Sequence, residues 1–163
     1  MPIGARADGI AVAAHIEPYE GRSVASVVAD VTYLRALGIR SVYVYRAFDL
    51  PVPEWAAAHD ALHQGRVTLF AQTGLVGAAA AARFDGIYTY DIVTYRGSIF
   101  HRLCDEAHAQ HLLCAPSVGP GYDARRGSGD PVVKPRRYGA TYDAMWRAAL
   151  TAHADPITIT AHA

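Results

Sequence analysis

Residues 41–73 read SVYVYRAFDLPVPEWAAAHDALHQGRVTLFAQT. Residues 41–45 are β-branched and aromatic, which suits a strand. Residues 53–63 predict a helix with proline near its first turn, where the missing N–H has no intrahelical partner to lose. Residues 67–71 form a second short apolar run, again a strand. A strand, a helix and a strand with no hairpin turn between them imply a crossover joining parallel strands.

The same alternation continues in both directions. Residues 10–14 read as a buried strand. Residues 23–37 predict a helix: Val24, Val27, Val28, Val31 and Leu34 recur at helical spacing, Ser23 can cap it and Gly38 ends it. On the other side come a short Ala-rich helix near 76–83, a strand at 86–90 (GIYTY), a helix at 98–111 and a strand at 112–116. A Gly/Pro/Arg loop then runs over 119–137, followed by a helix at 138–153 and a strand at 157–160. Six strands thus alternate with five helices, with no hairpin signal and no internal repeat, so a parallel sheet with helical crossovers is expected. Residues 1–9 read as a leader or linker and 10–163 as one domain.

Two α/β architectures fit, an open doubly wound sheet and a (β/α)₈ barrel. The first is favoured by a phosphate-gripping glycine loop, and none follows any strand; VGPGYDARRGSG lacks both the G-x-G-x-x-G spacing and the P-loop Lys-Ser/Thr. The barrel accounts for the polar, aromatic strand ends: HIEPY at 15–19, YVYR at 43–46, QT at 72–73, YTYD at 88–91, PSVGPGY at 116–122 and TIT at 158–160. In a barrel the C-terminal ends of all strands converge on one mouth. A whole barrel takes about 250 residues, so the 163 residues here predict a partial barrel, about two βα units short.

Composition narrows the function. Lys+Arg and Asp+Glu balance at 15 each, so no basic field exists to attract nucleic acid or an anionic membrane. Charged residues make up 18%, below the roughly 25% of an average domain, as expected if more chain covers part of the surface. Lys134 is the sole lysine; with the abundant alanine and arginine this suggests a GC-rich bacterial genome. No signal-peptide h-region and no membrane-length apolar run is visible, which leaves localisation open. Cys104 and Cys114 fall on a predicted helix and the next strand and read as buried thiols. No Cys/His spacing suggests zinc, and neither a metal nor another cofactor is implied.

His15 and Glu17 alternate by two on a strand, so both side chains point the same way at its end. They make either a site or a locally paired strand end. Ten tyrosines outnumber four phenylalanines. Tyr19, Tyr43, Tyr45, Tyr88, Tyr90 and Tyr122 all fall at or near strand ends. A tyrosine offers an apolar face and a hydroxyl, which matches a sugar's C–H patches and hydroxyls. The alternative is plain packing beneath helices, to which Tyr43 and Tyr88 are open. Asp91 and Asp123 are carboxylates near the predicted mouth but suit loop and cap roles, and Asp85 suits a turn. The basic loop residues Arg125, Arg126, Lys134, Arg136 and Arg137 suit a solvated surface. Trp55 and Trp146 lie in apolar helical patterns and are expected in the core.

The set HIEPYEGR (15–22), YVY (43–45), FDGIYTY (84–90), PSVGPGY (116–122) and GATYDAMWRAAL (139–150), in this order and spacing, resembles glycoside hydrolase family 99, the endo-α-1,2-mannosidases and mannanases. The likeness spans residues 10–160. It implies a (β/α)₈ barrel that cuts internal α-mannoside linkages with retention, without a metal. In that scheme one carboxylate assists the sugar's own 2-hydroxyl and a second acid protonates the leaving oxygen, unlike the usual retaining pair in which the carboxylate attacks.

In the family those acids lie in a Glu-Trp-His-Glu stretch after the last barrel strand. Here that strand matches PITIT (156–160), and no such stretch occurs in the chain. The first two βα units and the last helix are also unmatched, and Arg46 stands where the family commonly has Asp. No catalytic residue is therefore named. The resemblance carries over His15, Glu17, Tyr88, Tyr90 and Tyr122 as sugar-site positions, with Tyr19 and Tyr45 added from the strand-end pattern. Glu17 is expected to hydrogen-bond a mannose hydroxyl, and a YTY tyrosine to orient the acid or the substrate. The expected partner is an α-mannoside oligosaccharide or glycan. Three readings follow: a glycosidase fragment inactive alone, a non-catalytic mannoside-binding relative, or a functionless truncated reading frame. Open strand edges at both ends predict self-association.

Overall fold

The computed structural model describes residues 11–19, 21–126 and 131–159. The expected leader 1–9, the strand start at Ile10 and the last strand residue, Thr160, lie outside them. Chain order is β1 (Ala13–Ile16), α1 (Val24–Ala36), β2 (Ser41–Val44), α2 (Val52–Leu62), β3 (Thr68–Gln72), α3 (Val76–Ala81), β4 (Gly86–Tyr88), α4 (Phe100–Ala109), β5 (Leu113–Ala115), β6 (Ser117–Val118), β7 (Tyr122–Asp123), β8 (Val133–Lys134), α5 (Ala140–Thr151) and β9 (Thr158–Ile159). Five strands make one sheet in chain order, β1-β2-β3-β4-β5. The chain divides into two compact units, Met1–Gly86 and Ile87–Ala163.

In the first unit β1, β2 and β3 are parallel, with His15 opposite Tyr43 and Tyr43 opposite Phe70. Helix α1 forms because Ser23 and Ser26 cap it reciprocally, each hydroxyl accepting from the other's backbone N–H at 3.3 Å. Its buried stripe is Val24, Val27 and Val31, an i, i+3, i+7 set. With Val42 and Val44 of β2, Trp55 and Leu62 of α2 and Leu69 of β3, this makes a core excluded from solvent. The indole of Trp55 donates to Ala47 O at 2.9 Å, so its one polar group is satisfied there.

Four helices end the same way. After α1, Gly38 N–H donates to Arg35 O and Ile39 N–H to Leu34 O. The paired bonds recur at Arg83 and Phe84 after α3, at His111 and Leu112 after α4, and at His153 and Ala154 after α5. Gly38, Arg83, His111 and His153 all have positive φ, from 54° to 80°. These are Schellman caps, and each turns the chain toward the next strand or loop.

In the second unit α4 presents Phe100, Leu103, Cys104 and Ala107 as one buried stripe. Cys104 is bonded to Cys114 of β5, Cα atoms 5.2 Å apart. The expected buried thiols are thus a disulfide: packing the helix on its following strand brings the two Cα atoms within bridging reach, which spacing along the chain cannot show. The segment 119–137 is not a plain loop either. β7 and β8 pair antiparallel, Tyr122 opposite Lys134. A Cβ on Gly121, whose φ is +145°, would meet Lys134 O at 2.7 Å, so glycine is what lets the two backbones close. β9 pairs parallel with β6, Ser117 opposite Thr158.

Candidate functional site

The strand ends of the first unit are tied together at one rim. Tyr45 N–H donates to Ile16 O at 2.8 Å, which carries the β1–β2 ladder one residue past the end of β2. His15 and Glu17 share a face, with Nδ1 of His15 3.8 Å from Oε1 of Glu17. The Tyr45 ring lies 5.9 Å from the His15 ring, centroid to centroid. His15 is exposed and Glu17 and Tyr45 are part-exposed, so the group presents a carboxylate, an imidazole and an aromatic face to solvent. Burial holds the His15 pKa below its ordinary value and outweighs the opposing pull of Glu17. At neutral pH the pair is therefore a neutral imidazole beside a carboxylate, with ring nitrogens able to donate and accept.

Beneath this group Tyr43 stacks on Phe70, centroids 4.7 Å apart and planes 7° apart. Burial raises the Tyr43 pKa. Tyr43 thus has the packing role, one row deeper than Tyr45. Arg46, at the end of β2, adopts a left-handed conformation with φ 46°. Its N–H donates to Oε1 of Gln72 at the end of β3, at 3.2 Å, and its Nε lies 2.9 Å from Asp49 Oδ2. Tyr19 stands apart, 68% exposed beyond Pro18.

In the second unit Tyr88 is buried in β4, while Tyr90 and Tyr122 are part-exposed. Thr89, between the two YTY tyrosines, is buried and joins a polar row. Ser117 N–H donates to Thr89 Oγ1 at 2.7 Å, the Ser117 hydroxyl donates to Thr89 O, and it lies 2.5 Å from Thr158 Oγ1. Three hydroxyl residues at neighbouring strand ends are mutually satisfied; strand alternation in 88–90 and 158–160 is the only sequence signal for them.

The other carboxylates resolve into local roles. Asp91 accepts from Val93 N–H at 2.7 Å and from the Thr94 hydroxyl, an Asx turn. Asp123 takes Nε and Nη2 of Arg125 at 2.8 and 2.7 Å. Asp85 does more than make a turn: its Oδ2 accepts from Leu69 N–H at 2.7 Å and lies 2.8 Å from His63 Nε2. Among the described residues no group of three His, Cys, Asp or Glu is placed to hold a metal ion. No helix among them is long and apolar enough to cross a membrane.

Comparison with known proteins places the chain in a family. Residues 4–163 match the model of glycosyl hydrolase family 99. Among curated proteins, the chain is 27% identical over 189 residues to the Homo sapiens glycoprotein endo-alpha-1,2-mannosidase-like protein, covering 93% of this chain and 40% of that one. Among solved structures it is similar to the family 99 endo-alpha-mannosidase of Bacteroides thetaiotaomicron, with TM-score 0.84 and 26% identity over 96% of this chain and 54% of the other. The same enzyme in complex with bis-tris-propane gives TM-score 0.83 and 26% identity, covering 96% and 58%. The α/β barrel likeness therefore extends over almost the whole chain. The chain itself spans two fifths of the human relative.

Proposed function

The chain belongs to glycosyl hydrolase family 99, and from that premise we propose that it carries the mannoside-binding rim of an endo-α-mannosidase site, for α-1,2-linked mannose. The observation that supports this reading is the grouping of His15, Glu17 and Tyr45 at the C-terminal ends of two paired parallel strands. Such ends are where barrel enzymes bind and act. Glu17 accepts hydrogen bonds from mannose hydroxyls, His15 donates to or accepts from a neighbouring one, and the Tyr45 ring covers a C–H face of the sugar. In the Ile87–Ala163 unit, taken by itself, Tyr90 and Tyr122 are proposed as sugar contacts, with the buried Tyr88 positioning Tyr90 through the strand.

Hydrolysis requires two carboxyl groups with separated pKa values. No Glu-Trp-His-Glu stretch occurs among the 163 residues. The proposal is accordingly binding without turnover by this chain. Titration with α-1,2-mannobiose tests it. Binding in the millimolar range is expected, lost on Glu17→Ala and reduced by His15→Ala, with no release of mannose. Undiminished binding by Glu17→Ala would remove Glu17 from the site, and robust turnover would overturn the claim of inactivity.

Among the described residues β1 has a strand neighbour on one side only, which further supports self-association through that strand. Size-exclusion chromatography across a concentration series should show a growing larger species; a constant monomer would count against it.

A further inference from the structure

A concave site lies wholly within the Ile87–Ala163 unit and plays no part in the reading above. It is a cavity of about 420 Å³ beside α5. Small-ligand sites typically hold roughly 300–1,000 Å³, too little for a folded partner element. Ala144, Met145 and Ala148 of α5 line it, Gly97 lies against them, and Lys134 and Arg137 are its cationic lining residues. No carboxylate lines it.

The residues on this side of the cavity are small and closely packed. Gly97 comes close enough that a Cβ there would lie 3.1 Å from the Ala148 Cβ. Its two cations, Lys134 and Arg137, make no ion pair among the described residues. Lys134 Nζ donates to Ile92 O and lies 3.4 Å from Met145 Sδ. An ammonium has three donors; one is spent on the carbonyl, the thioether accepts only weakly, and a third is left for a ligand. The nearest acid acting on it is Asp91, whose oxygens are already engaged by Val93 and Thr94. Burial and the neighbouring Arg96 lower the Lys134 pKa, opposed by Asp91, so an added anion relieves an unfavourable position.

We propose that this cavity binds a small organic monocarboxylate with a short apolar tail. The carboxylate sits against Lys134 and Arg137, and the tail lies over Ala144, Met145 and Ala148. Charge alone would leave the apolar lining unused, and an uncharged tail would leave the cation pair unanswered.

Calorimetric titration of the whole chain at low ionic strength, with sodium octanoate, 1-octanol and sodium acetate run in parallel, tests the assignment. Octanoate should bind at one site and about tenfold or more tighter than either control, the effect of one charge-assisted hydrogen bond. Ala144→Trp, at an exposed helix position that tolerates bulk, should abolish octanoate binding by filling the cavity. Lys134→Gln should reduce octanoate to the level of octanol. Arg137→Gln, at an exposed position, should weaken it several-fold, and it decides the matter if Lys134→Gln fails to fold by circular dichroism. Binding of α-1,2-mannobiose should be unaffected by all three variants, which separates this site from the sugar rim. Octanoate that binds no better than octanol, or that survives both Ala144→Trp and the cation variants, is adsorbing to apolar surface at large and overturns the proposal.

Discussion

His63 Nε2 lies 2.8 Å from Asp85 Oδ2, and the same oxygen accepts the Leu69 backbone N–H at 2.7 Å. One carboxylate thus fixes the end of α2 and the start of β3 together. The His63 pKa is raised, first by its hydrogen bond to Asp85, with the backbone bond to His59 and the Asp85 charge adding; burial and Arg83 oppose this. A raised folded pKa means the folded state binds the proton more tightly than the unfolded chain. The stabilisation is fully present below the ordinary histidine pKa of about 6.5 and is lost as pH rises through the higher folded value. His15 has the opposite sign, since its lowered folded pKa costs stability as pH falls through the unfolded value. Urea midpoints measured from acid to mildly alkaline pH should therefore fall across neutrality in the parent, and that slope should vanish in His63→Gln. A His63→Gln profile parallel to the parent's would show that the pair does not control it.

The helix ends carry a second expectation. Arg83, His111 and His153 occupy the left-handed cap position that Gly38 fills after α1. A non-glycine residue there costs about 1 kcal/mol. His111→Gly and His153→Gly should each stabilise the chain by roughly 0.5–1 kcal/mol, and Gly38→Ala should destabilise it by about as much. His111 and His153 are exposed, so little packing is lost in either case. Thermal midpoints that fall on both His→Gly changes would mean that those side chains make contacts outweighing the backbone strain.

The contrast between these caps also explains how far the sequence could be read. Val24, Val27 and Val31 announce α1 by spacing, and Gly38 announces its end, because only glycine advertises a positive φ. Arg83 and His111 do the same work with residues that carry no such signal, so the ends of α3 and α4 are blurred by about two residues. The alternation His15-x-Glu17 is enough to put both groups on one face, but that Tyr43 lies under Phe70 while Tyr45 meets His15 depends on register between strands, which no single strand contains. The β7–β8 hairpin has two residues a side within a Gly/Pro/Arg segment, too short for any period to show. Lys134 looks like one more solvated loop charge until that hairpin carries it back to Ile92.

The Cys104–Cys114 bridge is a third case of tertiary context deciding chemistry, and it yields a direct measurement. The cysteines are 10 residues apart and both fully buried. Closing a loop of this length in the unfolded chain is worth about 3 kcal/mol in the chain-entropy account. Cys104→Ala/Cys114→Ala should lower stability by roughly 2–3 kcal/mol. Unfolding the parent without reductant should expose no titratable thiol to a thiol-reactive dye, and unfolding it with reductant should expose two. Two thiols appearing without reductant would refute the bridge.

Gly121 offers the sharpest single-residue test of how the segment after β6 is held. Its φ of +145° is open to glycine, and any Cβ would press on Lys134 O at 2.7 Å and Arg136 N at 3.1 Å. Both are backbone atoms that cannot rotate away. Gly121→Ala should therefore part β7 from β8 rather than shift a side chain, at a cost on the order of 1–3 kcal/mol. Because Lys134 reaches Ile92 only through this hairpin, the variant should also lose octanoate binding. At the same time the hydrogen-exchange protection of Ala124 N–H, which donates to Val132 O at 3.0 Å, should collapse. The His15–Glu17–Tyr45 group belongs to the other unit, so mannobiose binding should persist, weakened only by the share that Tyr122 contributes. Retained protection at Ala124 in Gly121→Ala would mean that the two strands close without the glycine, and the account of this turn would have to be abandoned.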